Sequence, residues 1–290
     1  MTSALDLLKL MRPRQWVKSG FVLIGVLFAH AWHDAGTVRS VLLAAAAFSL
    51  VASGVYVFND LMDRAHDAAH PRKRERALAA GMVSTGAAVV LLIMLLAAGF
   101  VLGYLSSPVV LYILLAYVVI NLGYSLGLKH VVLLDVFLIA GGFMLRLLAG
   151  TLGVGIAPSQ WLLLCGLMLS LFLGFAKRRA ELYAASDGTA GGRKVLENYQ
   201  PVLLDKLIVV TASGAIITYS LYTTSEKTVQ THRTEALIYT VPFVMYGVFR
   251  YIYLLHNQRA GTDPAQEIFR DPHILLSIAG WLALTVWLIY

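Results

Sequence analysis

The chain has 290 residues, of which 59% are hydrophobic and only 13% are charged. Soluble domains carry about 25% charged residues, so a soluble enzyme is excluded and an all-α, multi-pass membrane protein is expected. The net charge of +7 comes without the interleaved aromatic and basic residues of a nucleic-acid reader, and no nucleic acid is expected as a partner. The cations suit anionic lipid headgroups and anionic substrates instead.

From the amino terminus, Lys9, Arg12, Arg14 and Lys18 precede the apolar stretch Gly20–Trp32. That layout imitates a signal peptide, with Ala29-His30-Ala31 in the place of a cleavage site. Eight further apolar runs follow, so the stretch is expected to stay as a first helix. Pro13 suits a helix first turn and Trp16 suits the membrane interface. The runs cover 16–33, 38–58, 84–105, 108–127, 131–151, 158–176, 206–225, 236–255 and 273–290. Nine spans of about 20 residues leave only short loops. Ser106-Ser107-Pro108 makes a tight hairpin between the third and fourth. Nineteen of the 23 Lys and Arg fall on one set of loops, three on the other, and Arg146 lies within a span. This asymmetry predicts a cytoplasmic amino terminus. The lone Cys165 sits in an apolar run, which leaves no intrachain disulfide and no cysteine metal site.

The second run ends in Asn59-Asp60-Leu61-Met62-Asp63-Arg64-Ala65-His66-Asp67, followed by His70-Pro71-Arg72-Lys73-Arg74-Glu75-Arg76. If the helix continues past Phe58, Asp60, Asp63 and Asp67 share one face with Asn59 beside them. Stacked carboxylates repel unless a cation lies between them, and topology alone gives no reason for them. Hard oxygen ligands at this density suit Mg²⁺, which takes its remaining ligands from water and substrate phosphates. Mn²⁺ is not distinguished from it. The basic run beyond, with Lys73, Arg74 and Arg76, can hold phosphate charge that a metal does not cover.

Further along, the fourth loop carries Tyr124, Lys129 and Asp135. The sixth begins Lys177-Arg178-Arg179-Ala180-Glu181 and runs to about Lys206, and the eighth includes Arg270-Asp271-Pro272. Arg146 is costly in the middle of a span unless it meets a cavity or a partner, either a carboxylate or a phosphate. Gly141-Gly142 and Gly150, Gly153 and Gly155 read as close helix packing. Tyr117, Phe137 and Trp161 read as packing or interface residues.

With these residues in place the chain resembles the UbiA-type intramembrane prenyltransferase superfamily. The resemblance is carried by Asn59-Asp60-x-x-Asp63-x-x-x-Asp67 and by Tyr124-x-x-x-x-Lys129 with Asp135. Within the superfamily it resembles the polyprenyl-phosphate phosphoribosyltransferase branch. That likeness rests on Arg12-Pro13-Arg14-Gln15-Trp16-Val17-Lys18, His70-Pro71-x-Lys73-Arg74-x-Arg76, Leu145-Arg146-x-x-Ala149-Gly150, Gly174-Phe175-x-Lys177-Arg178-Arg179-x-Glu181 and Arg270-Asp271-Pro272. One departure stands out: Asp135 is alone where a second close pair of aspartates is usual, which favours a site with more cations.

The resemblance implies a nine-helix bundle around a central cavity, a single domain with active-site loops at about 59–83, 127–135 and 177–206. It implies transfer of 5-phosphoribose from phosphoribosyl pyrophosphate (PRPP) to a polyprenyl phosphate, for synthesis of a cell-envelope arabinose donor. Asn59, Asp60, Asp63 and Asp67 would hold Mg²⁺. Arg14, Lys18, Lys73, Arg74, Arg76, Tyr124, Lys129, Asp135, Arg146, Lys177, Arg178, Arg179 and Glu181 would serve substrate binding. The expected place is a bacterial inner membrane with the site facing the cytoplasm, and a homo-oligomer is left open. The rival within the fold attaches a prenyl diphosphate to an aromatic acceptor. A lipid-phosphate carrier is disfavoured, because polar residues cluster at one face and not at the bilayer midplane.

Overall fold

Small and branched apolar residues dominate the chain, and six of its eight long apolar helices have a third or less of their residues buried. A computed structural model describes residues 3–29, 31–69, 73–186, 194–257 and 270–290, with no strand among them. Eight helices in this set are long and apolar enough to cross a membrane. Large apolar side chains along them face outward, among them Tyr112, Leu126, Val210, Leu276 and Trp287. Hydrocarbon, not water, is the solvent for such a surface.

The chain divides into two compact units. The first comprises residues 1–128 and 141–158, and the second residues 129–140 and 159–290. In the first, α1 (Ala4–Met11) ends at Arg12 in the left-handed region, φ 54°. Pro13–Leu23 then forms a 3₁₀ helix and Ile24–Phe28 the short α2. The first expected span therefore takes a tighter helical form and is not among the eight. Gly20 and the branched Val17 and Val22 lower its α-helix propensity. This stretch is pinned to α3 (Ala35–Met62) by polar contacts. Trp16 Nε1 donates to Ser53 Oγ at 2.9 Å, and Ser53 is fully buried. Asp34 caps α3 by accepting from the Gly36 and Thr37 amides.

After α4 (Arg64–Ala69), helices α5 (Thr85–Ser106) and α6 (Pro108–Leu126) form the expected hairpin. Ser107 Oγ accepts from Val110 N–H and Pro108 opens the first turn of α6. The core of this unit gathers Val22, Val41, Phe48, Val51, Val110, Leu114 and Tyr117. One approach is tight enough to require glycine. A Cβ on Gly150 would stand 1.7 Å from the Val22 carbonyl oxygen, and one on Gly25 would stand 2.0 Å from the Gly150 oxygen.

Helix α7 (Leu134–Ala149) gives its first turns to the second unit and the rest to the first. The second unit holds α8 (Gln160–Ser186), α9 (Pro201–Thr224), α10 (Glu226–His232), α11 (Val241–Asn257) and α12 (Pro272–Ile289). Its core is Val136, Phe172, Phe175, Leu204, Ile208, Val248 and Tyr251. Helix α8 runs about ten residues beyond the expected apolar run. Lys177 to Leu182 are polar or mixed but good helix formers, so hydropathy falls while the helix goes on.

Candidate functional site

In the first unit, α3 carries the acidic motif on its last turn. Asp63 breaks the helix at φ −89° and ψ 2°, and α4 restarts at Arg64. The backbone pattern survives the break, because Asp63 N–H donates to Asn59 O at 2.9 Å and Asp67 N–H to Asp63 O at 2.8 Å. Asn59, Asp63 and Asp67 thus follow one another at four-residue steps.

Two arginines pair with Asp60 and Asp67. Asp60, 4% exposed, accepts from Arg12 Nη2 at 2.5 Å and from Arg76 Nη1 at 3.1 Å. The same Arg76 nitrogen reaches Asp67 Oδ2 at 2.6 Å, and Asp67 is 2% exposed. Arg12 also lies 5.0 Å over the Tyr56 ring. Sequence reasoning singles out Arg14, Lys18, Lys73, Arg74 and Arg76. Of these Arg76 meets the aspartates, Arg14 and Arg74 are exposed, and Lys18 is half-buried. The backbone turn at Lys73 is described but its side chain, like residues 70–72, lies outside the described residues. Arg12, which the sequence does not set apart from Arg14 or Lys18, is the cation that pairs with Asp60 from the amino-terminal segment.

Asn59 is held from α6. Ser125 Oγ stands 2.5 Å from Asn59 Oδ1 and 2.8 Å from the Asn121 carbonyl. Tyr124 precedes Ser125 on the same last turn and is half-buried.

Arg146 is also in this unit, 4% exposed. It donates to Gly142 O at 2.8 Å and to the Tyr117 hydroxyl at 3.1 Å. The rings of Tyr117, Phe48 and Phe143 surround it at 4.8, 5.4 and 5.8 Å. Phe48 precedes Asp60 by twelve residues on α3, so this cage lies about 18 Å along the helix from Asp60. Of the two partners anticipated for Arg146, a carboxylate is not what meets it among the described residues. Aromatic faces are, each worth up to about 2 kcal/mol when desolvated.

The second unit carries its own buried network. Arg178, fully buried, forms an ion pair through Nε with Asp135 Oδ2 at 2.8 Å and donates through Nη1 to Glu181. Tyr199 donates to Asp135 Oδ1 at 2.7 Å and accepts from Leu133 N–H at 2.8 Å. Burial and the Asp135 carboxylate push the Tyr199 hydroxyl well above the usual phenol range, so it remains a donor at any working pH. Three predicted residues, Asp135, Arg178 and Glu181, therefore meet as one closed set, with Tyr199 added. Arg179 pairs with Asp205 at 2.9 Å, and Lys177 and Lys129 are half-buried. A groove of about 310 Å³ between α11 and α12, lined by Pro242, Phe243, Tyr246, His273, Leu276 and Ser277, holds none of the predicted residues.

The donor set at the acidic motif is hard oxygen throughout, which fits Mg²⁺ or Mn²⁺. Among the described residues no three His, Cys, Asp or Glu side chains form a ready cage.

Eight helices long and apolar enough to span, with large apolar side chains turned outward, define a multi-pass membrane protein. The chain belongs to the UbiA prenyltransferase family, whose profile matches residues 20–271. It is 32% identical to decaprenyl-phosphate phosphoribosyltransferase of Corynebacterium glutamicum, over 98% of this chain and 86% of the relative. The enzyme of the same name from Mycolicibacterium smegmatis is 32% identical over 95% of this chain and 90% of its own. Among solved structures, a UbiA homolog from Archaeoglobus fulgidus bound to GPP and Mg²⁺ superposes with a TM-score of 0.73 at 18% identity. That alignment covers 98% of this chain and 99% of the other, and speaks for the fold.

Proposed function

We propose that this protein transfers 5-phosphoribose from PRPP to a polyprenyl phosphate of the decaprenyl type, with release of pyrophosphate. The observation that carries this is 32% identity, spread over 98% of the chain, to an enzyme named for that reaction. Asn59, Asp60, Asp63 and Asp67 would hold Mg²⁺, and a cation there would supply charge stabilisation to a leaving pyrophosphate. Arg12 and Arg76, already seated on Asp60 and Asp67, keep the carboxylates together and add positive charge at the edge of the motif. The acceptor is a phosphate monoester, anionic at neutral pH. One of its oxygens attacks C1 of the ribose as the C1–O bond to pyrophosphate breaks, with inversion and with no general base required.

The protein is proposed to lie in a bacterial plasma membrane, with this motif on the cytoplasmic side and nine spans. Pro13–Leu23 has 11 residues in 3₁₀ form and α2 has 5. Together they reach about 30 Å, the thickness of a hydrocarbon core. The uneven distribution of Lys and Arg supports the same orientation.

The test is transfer of label from PRPP into the lipid phase by purified protein with polyprenyl phosphate and Mg²⁺. Label should move with metal and stop with EDTA. Undiminished transfer in EDTA would remove the metal assignment.

A further inference from the structure

Asn59 is a half-buried neutral residue in a line of carboxylates, and its amide is gripped from another helix. Ser125 Oγ has two oxygens within reach, Asn59 Oδ1 at 2.5 Å and Asn121 O at 2.8 Å. A hydroxyl carries one proton, so it donates to one of them. Two facts decide the choice. The atom facing Ser125 is the amide oxygen Oδ1, which can only accept, so the hydroxyl is its donor. The Asn121 carbonyl, meanwhile, lies one helical turn before Ser125 within α6 and is served by the backbone ladder. The proton belongs to Asn59.

An amide oxygen has two lone pairs. One is taken by Ser125, and the other is left in a fixed direction. An unrestrained asparagine amide rotates broadly about its last torsion and exchanges its oxygen and nitrogen ends. The bond from Ser125 removes that freedom and prevents the NH₂ end from taking the place of the oxygen.

We infer that Ser125 is a positioning residue for divalent-cation binding: it fixes the Asn59 amide so that Oδ1 is presented as the neutral ligand beside Asp63 and Asp67. This rests on the proposed use of Asn59 as a ligand. A partner that orients a metal ligand in this way is worth about 10-fold to 100-fold in affinity.

The test is Mn²⁺ binding to the full-length protein in nanodiscs, followed by the electron paramagnetic resonance signal of the free ion. Ser125→Ala should weaken Mn²⁺ binding by about 10-fold, and Ser125→Thr, which restores a hydroxyl, should recover most of that loss. Asn59→Ala should weaken binding at least as much, and adding Ser125→Ala to it should change nothing further. Wild-type affinity in Ser125→Ala together with a loss in Asn59→Ala would overturn the inference and leave the ligand assignment standing. Wild-type affinity in Asn59→Ala would overturn the ligand assignment itself, and the inference with it.

Discussion

The contact between Gly150 and the first apolar stretch gives a prediction whose size follows from geometry. A Cβ at Gly150 would stand 1.7 Å from Val22 O, 2.5 Å from Val22 C and 2.9 Å from Val22 Cα, all backbone atoms. Ordinary contact begins near 3.4 Å, so Gly150→Ala must part the two backbones by about 1.7 Å or bend one of them. No flexible side-chain end is available to yield. The cost should reach or exceed the upper end of overpacking, about 3 kcal/mol. Gly141, inside α7, which ends one residue before Gly150, has nothing within 4 Å of its ideal Cβ. Gly141→Ala should therefore gain about 0.5–1 kcal/mol from reduced backbone entropy in the unfolded chain. The same substitution at two points of one segment is expected to act in opposite directions. At about 2–4 °C per kcal/mol, the two variants should differ in Tm by roughly 10 °C. Thermal unfolding in detergent, followed by intrinsic fluorescence, measures this. A Gly150→Ala protein that melts with the wild type would refute the argument, because the backbones would then have room the structure denies.

Three further outcomes are expected. Asp63→Asn should abolish turnover while the protein still purifies as a folded species, and full retained activity would contradict its place in the site. Arg178→Met should cost about 3–5 kcal/mol, because Asp135 is left charged and fully enclosed, and a melting curve compared with the wild type reads it. Asp271 caps α12 through the Ile274 amide and pairs with Arg250 at 2.8 Å. Its carboxyl is held below the usual carboxylate range, chiefly by the Arg250 hydrogen bond. A depressed pKa gives stability that is full above the ordinary value, about 4, and lost as pH falls through the folded-state value. Asp271→Asn, which keeps the cap, should therefore be less stable than wild type by about 1 kcal/mol at neutral pH, and the gap should close below about pH 4.

How much of this was legible in the sequence differs from residue to residue. The spacing of the acidic motif is local: Asp60, Asp63 and Asp67 fall three and four apart with Asn59 beside them, the ladder continues through the Asp63 break, and Arg76 reaches both Asp60 and Asp67. The α5–α6 hairpin was equally readable, since Ser107 and Pro108 are a cap and a first-turn proline. Pairings between distant elements were not. Arg12 reaches Asp60 only because the chain turns through the left-handed region at Arg12, and nothing in its type sets it apart from Arg14 or Lys18. Arg146 lies eleven residues after Asp135 on the same helix, three turns on and near the same face. Yet Asp135 is enclosed by Arg178 and Tyr199, and Arg146 by aromatic rings. Ser125 left no signal, because a serine in an apolar run is ordinary until the helix beside it is known. Hydropathy marked eight spans close to their observed places, but it did not see that Pro13–Leu23 winds as a 3₁₀ helix or that α8 outlasts its apolar run.

The most direct test of the central claim sets two donor–acceptor pairs side by side with one preparation of purified protein and Mg²⁺. One reaction receives PRPP and polyprenyl phosphate, the other a prenyl diphosphate and 4-hydroxybenzoate, and mass spectrometry identifies the lipid product of each. The account predicts a phosphoribosylated polyprenyl phosphate from the first pair and no prenylated product from the second. A prenylated aromatic from the second, with the lipid phosphate of the first unchanged, would contradict it.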